Sequence, residues 1–86
     1  MPVISTFFGI VIRMFFGDHS PPHFHAEHQG ERATFTFDGQ LLAGSISSKT
    51  AQRLIREWAR LHRVELMVNW TNIEKGRALN RIEPLD

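Results

Sequence analysis

The sequence predicts an α+β domain: a small antiparallel sheet of three to four strands, with two C-terminal helices packed on one face. Three observations lead there. Polarity alternates with period two over residues 23–37. Apolar residues recur at helical spacing from Ala51 to Ile73. Turn-forming residues (Asp18 to Pro22, Gln29-Gly30, Asp38-Gly39) separate the segments. Eighty-six residues, 42% hydrophobic and 22% charged, suit one globular domain with one core. Within it, residues 1–46 read as β-rich, 47–76 as helical and 77–86 as a tail docking on the core.

The elements follow in order. "GIVIRMFF" (9–16) is β-branched and aromatic, apolar on both faces apart from Arg13, as a central strand requires. "DHSPP" turns the chain, since each proline fixes its own φ and pushes the preceding residue toward extended backbone. "HFHAEH" (23–28) and "ERATFTF" (31–37) form a hairpin around Gln29-Gly30. After the Asp38-Gly39 turn, "LLAGSI" (41–46) supplies a short fourth strand. Ser47 or Ser48 suits a helix N-cap. Ala51, Leu54, Ile55, Trp58 and Leu61 then share a face, which Leu66, Trp70 and Ile73 continue. One helix over 48–75 would be about 40 Å long at ~1.5 Å per residue, too long for this domain, so a break is expected near Leu61-His62-Arg63. Gly76 is the natural stop, and Leu79, Ile82 and Leu85 should dock the tail.

Strand pairing follows from polarity. A two-residue loop at 29–30 sets Phe24 opposite Phe35, Ala26 opposite Ala33 and His28 opposite Glu31. One face then carries Phe24, Ala26, Ala33, Phe35 and Phe37; the other carries His23, His25, Glu27, Arg32, Thr34 and Thr36. If the first strand pairs antiparallel with 23–28, Ile10, Ile12 and Met14 join the phenylalanines, and Arg13 joins the histidines. The helices should cover the phenylalanine face and leave the His–Arg–Glu face open.

Composition removes several functions. Without cysteine there are no disulfides and no thiolate metal sites, which fits a reducing compartment. The apolar start lacks a basic n-region and a small-residue cleavage site, and its apolar runs are short for a membrane span. The expectation is a cytoplasmic protein without a membrane partner. Net charge is only +1, but residues 49–63 hold five basic side chains against one acidic.

Two surfaces could carry chemistry. Four of the five histidines lie between His19 and His28. His23 and His25 offer acid–base groups for near-neutral pH, Arg13 a phosphate clamp, and Glu27 a carboxylate to orient an imidazole. Cleaving RNA through its 2′-hydroxyl needs only such groups in position, with no cofactor. Metal is the alternative. His-x-His points two imidazoles the same way from Cα atoms about 6.5–7 Å apart, and His19, returned by the Pro-Pro turn, is the third ligand considered. Glu27 lies about 13 Å along the strand from His23, too far to share an ion easily. The plainest reading is a solvated face in which Glu27 pairs with Arg32. His28 falls on the apolar side near the loop, and His62 serves the helix break. The second surface is the stripe Lys49, Arg53, Arg56, Arg60 and Arg63, spaced four, three, four and three along one helical face. It is either a solvated face or an electrostatic footprint for nucleic acid or an acidic partner. Trp58 and Trp70 read as core anchors.

Ile4-Ser5, Phe8-Gly9-Ile10, Ile12, Met14, Asp18-His19 and Pro21-Pro22-His23-Phe24-His25-Ala26 form a pattern. Glu57-Trp58, Leu61-His62, Glu65-Leu66, Asn69-Trp70 and Ile82-Glu83-Pro84-Leu85 extend it. Over nearly its whole length the chain resembles the domain-of-unknown-function 4160 family. Family members often carry tyrosine where this chain has His28, so that histidine stands apart from the pattern. The resemblance implies one half of a two-gene bacterial module, a type proposed as toxin–antitoxin, and hence a cognate small protein partner. It assigns no role to any histidine.

Three functional readings result. The first is a toxin-type protein acting on RNA through the histidine face, metal-independent if it is an enzyme, and neutralised by its partner. The second is a non-enzymatic module binding protein or nucleic acid. The third is a metal-binding protein using His19, His23 and His25.

Overall fold

The computed structural model describes residues 2–86. It has five antiparallel strands in sequential order: β1 (Val3–Phe7), β2 (Ile10–Arg13), β3 (His23–His28), β4 (Glu31–Thr36) and β5 (Leu41–Gly44). Two helices follow, α1 (Lys49–Leu61) and α2 (Arg63–Glu74). The α+β class and antiparallel sheet match expectation; the count of three to four strands does not. The apolar stretch expected to supply a single strand at 9–16 instead makes a hairpin with the residues before it. Phe8 and Gly9 both take positive φ, 49° and 75°, and a two-residue loop of that hand reverses the chain between β1 and β2. Phenylalanine is an uncommon residue in left-handed backbone, which is why periodicity alone conceals the turn.

The second hairpin turns at Gln29 and Gly30, with φ of 50° and 80°. Its register sets Phe24 against Phe35, Ala26 against Ala33 and His28 against Glu31, and β2 pairs Ile12 with Ala26 and Arg13 with His25. Every residue assigned to the apolar face is buried, including Ile10, Ile12 and Met14. At about 25 cal/mol per Å² of apolar surface, burial of this face is what holds the register, since a slip of one residue would exchange it for the charged one.

Ser48 caps α1, its hydroxyl accepting from the Ala51 N–H at 3.0 Å. The helical run breaks at His62, whose Nδ1 lies 2.9 Å from Glu65 three residues on. Ala51, Ile55 and Trp58 are buried as expected, but Leu61 is 66% exposed, because α1 ends there and the chain turns at His62. Past α2, Gly76 (φ 66°) lets its own N–H reach the Ile73 carbonyl and that of Arg77 reach Asn72, closing the helix end.

Aromatic contacts join helices and sheet. Trp58, fully buried, meets Phe7 and Phe24 with ring centroids 5.5 Å apart in both cases. Trp70 meets Phe37 at 6.2 Å. The tail is fastened at three points. Asn69 exchanges two 2.9 Å bonds with the Asn80 backbone, Trp58 Nε1 donates to the Glu83 carbonyl at 2.9 Å, and Ile82 N–H donates to Ile4 on β1 at 2.7 Å. Ile82 is buried, with Leu79 and Leu85 packed beside the core.

Candidate functional site

The polar sheet face is built by the alternation of β3. His23, His25 and Glu27 project together, with Phe24 and Ala26 turned into the core between them. Arg13, opposite His25 on β2, donates from Nη1 to Glu27 at 2.8 Å. Arg32 approaches the same carboxylate oxygen at 3.5 Å, so Glu27 is held between two guanidinium groups. That pairing with Arg32 is the one expected of a plain solvated face. Arg13 Nε is buried without a partner among the described residues.

Asp18, to which the sequence pattern assigns no chemistry, anchors the other end. The link after β2 closes with Asp18 N–H donating to the Phe15 carbonyl and Phe15 N–H donating back to Asp18 Oδ2, both at 3.3 Å. The oxygen so placed lies 3.1 Å from His25 Nε2 and 3.6 Å from His23 Nε2. His23 Nδ1 donates to the Pro21 carbonyl at 2.7 Å. Phe15 stands edge-on to the His25 ring at 4.5 Å. The three donor atoms of Asp18, His23 and His25 all lie within 4.8 Å of one another, so this set could hold a metal. His19, the third metal ligand considered from sequence, is exposed and outside the cluster. The signal that could have found Asp18 is its place immediately before His19: spacing through two prolines does not say which of two neighbours the turn brings back.

The histidines differ in access. The His25 side chain is 30% exposed and Glu27 29%, but His23 is only 15%, because Trp70 of α2 lies against its ring at 5.5 Å. The expectation that helices leave this face open therefore fails at His23, the first residue of β3. His28 lies opposite Ile10 and Glu31, with a buried Nδ1 that has no partner among the described residues.

A cavity of about 310 Å³ opens beside the cluster, lined by Arg13, Phe15, His25, Glu27, Arg32 and Thr34. With neutral imidazoles, two guanidinium groups (Arg13, Arg32) balance two carboxylates (Asp18, Glu27) across this region. Of its polar lining residues, Arg32, 80% exposed, is best placed to reach outward.

The basic stripe is less uniform than its spacing. Arg53 pairs with Glu57 at 3.5 Å, and Arg63 reaches Asp38 at 3.0 Å. Arg56 lies against Gly39, where an added Cβ would sit 2.8 Å from the arginine Cγ. Lys49 and Arg60 make no ion pair among the described residues, and Arg60 is fully on the exposed side of α1.

Residues 9–71, most of the chain and all of this face, match the family described as "Domain of unknown function (DUF4160)". No curated protein and no solved structure matches the chain.

Proposed function

The chain belongs to the DUF4160 family, and on the geometry above we propose that it is a cytoplasmic bacterial protein of toxin–antitoxin type. In this reading it acts on RNA through the sheet face and is neutralised by a cognate small protein. The observation that carries the proposal is the cavity in which Arg13 and Arg32 stand beside His25, itself oriented by Asp18. Arginines recognise phosphate, and the Asp18–His23–His25 end supplies the reactive group near the scissile bond. Lys49 and Arg60 are separate exposed basic side chains on the helical half, with Arg53, Arg56 and Arg63 more strongly engaged within the fold.

Support for a protein partner comes from α2. Val64, Met67 and Val68 share one helical face with 76%, 45% and 46% exposure, next to exposed Leu61. Clustered exposed apolar side chains of this kind mark interaction surfaces. The same surface, together with the unpaired edge of β5, also suits a purely non-enzymatic binding module.

Induced expression with and without the neighbouring gene tests the reading. Growth arrest by the wild type, relieved by the partner and abolished in folded Arg13→Gln and His25→Ala, is the expected result. Unimpaired growth with soluble wild-type protein rejects the toxin reading, and arrest that persists in both variants points to the binding module.

A further inference from the structure

We infer that Asp18, His23 and His25 form a binding site for a divalent first-row transition-metal ion, with Asp18 Oδ2 and the two Nε2 atoms as ligands. The argument starts with hydrogen-bond inventory. A carbonyl oxygen only accepts, so the 2.7 Å contact with Pro21 places a hydrogen on His23 Nδ1. In its neutral form the ring then carries its lone pair at Nε2. That atom lies 3.6 Å from Asp18 Oδ2, another pure acceptor. Two acceptors this close call for a cation, a proton or a metal ion, between them.

The geometry also accommodates a metal. Three ligands at about 2.0–2.1 Å in tetrahedral arrangement have mutual separations of about 3.3 Å. Two of the three edges here are 3.1 and 3.6 Å, close to that value, and the third is within 4.8 Å. The Pro21 carbonyl on His23 Nδ1 is the outer partner that metal-binding imidazoles ordinarily have, fixing ring orientation and making Nε2 the basic atom. Asp18 is likewise fixed by the Phe15 N–H. Two nitrogens and one carboxylate oxygen, without thiolate, suit zinc and its first-row neighbours rather than calcium or magnesium.

Charge gives the site a consequence. The formal charges of Arg13, Arg32, Asp18 and Glu27 cancel, so without an ion the guanidinium groups recognise a phosphate locally, with no net positive field to assist them. A bound divalent ion adds two positive charges beside His25 on the cavity wall. Three protein ligands leave a fourth position for water, which such an ion makes acidic enough to act near neutral pH. This role rests on the RNA reading, and there it replaces a scheme in which the imidazoles themselves exchange protons. The ion site does not depend on it.

The test uses the full chain stripped with EDTA, titrated with Co²⁺ by visible absorption and with Zn²⁺ by calorimetry, in the absence of RNA. One ion per chain is expected. Asp18→Asn and His25→Ala should each weaken Zn²⁺ binding by more than the ~10–100-fold typical of removing an outer partner, while His19→Ala leaves it unchanged. Circular dichroism checks that the variants fold; Asp18→Asn, nearly isosteric, is the safer of the two. Absence of one-to-one binding by wild type at millimolar metal overturns the site, as does binding that survives both substitutions or disappears in His19→Ala. A chain that binds the ion but shows no RNA affinity with or without EDTA keeps the site and rejects only the RNA reading.

Discussion

Glu31, at the start of β4, accepts two hydrogen bonds from Ser47: from the backbone N–H at 2.8 Å and from the hydroxyl at 2.6 Å. Ser47 immediately precedes the α1 cap, so this carboxylate ties the sheet to the helical half.

The Ser47 hydroxyl first, and its N–H second, hold the Glu31 pKa below its ordinary 4.5. A depressed carboxylate contributes stability that is present above the unfolded pKa and disappears as pH falls through the folded one. The difference in urea midpoint between wild type and Glu31→Gln should therefore be constant near neutrality and shrink once pH drops below about 4.5. An unchanged difference in strong acid would show that the bonds do not depend on the charge.

Gly44 faces Ala33 across β4 and β5 with φ of 75°, and a Cβ there would collide with the Arg32 carbonyl and approach Ala33 Cα to 2.9 Å. Gly30 has similar φ, 80°, but open space around it. Gly30→Ala should cost only the left-handed backbone penalty, about 1–2 kcal/mol. Gly44→Ala should lower the melting temperature further, at about 4–8 °C per kcal/mol for a domain of this size. Equal decreases would mean that β5 shifts freely to make room.

Asn69 is fully buried and binds both polar groups of the Asn80 backbone. Asn69→Ala should cost about 1–3 kcal/mol and speed hydrogen exchange at the Ile82 amide, which otherwise donates to Ile4. Unaltered exchange there would show that Ile82, Leu79 and Leu85 hold the tail without the asparagine.

For RNA binding through the helical side, Lys49 and Arg60 are the positions of the basic stripe to change, since Arg56 packs on Gly39 and Arg53 and Arg63 are paired. Removing one phosphate-neutralising side chain flattens the log–log salt dependence by about 0.7 for a single strand, so Lys49→Gln with Arg60→Gln should reduce the slope by about 1.4. In protein stripped of metal, His25→Ala should leave that slope nearly unchanged. A slope indifferent to Lys49 and Arg60 would place the polyanion on the sheet face alone.

The alternation of residues 23–37 and the turn at Gln29-Gly30 are enough, by sequence alone, to determine the β3–β4 register and which side chains face the core. Period two leaves only two choices for a strand, and burial of Phe24, Phe35 and Phe37 selects one. The same logic places Arg13 beside His25, and chain length against helix rise locates the break at His62. Tertiary structure decided the rest. The β1–β2 hairpin depends on left-handed backbone at Phe8, which apolar periodicity does not reveal. Trp70 reaches His23 because α2 packs back against the start of β3, bringing together two rings far apart in the chain. Asp18 joins His23 and His25 because the Phe15–Asp18 turn and the two prolines together set its direction, and the dihedrals of a short irregular link follow from packing rather than from any repeat.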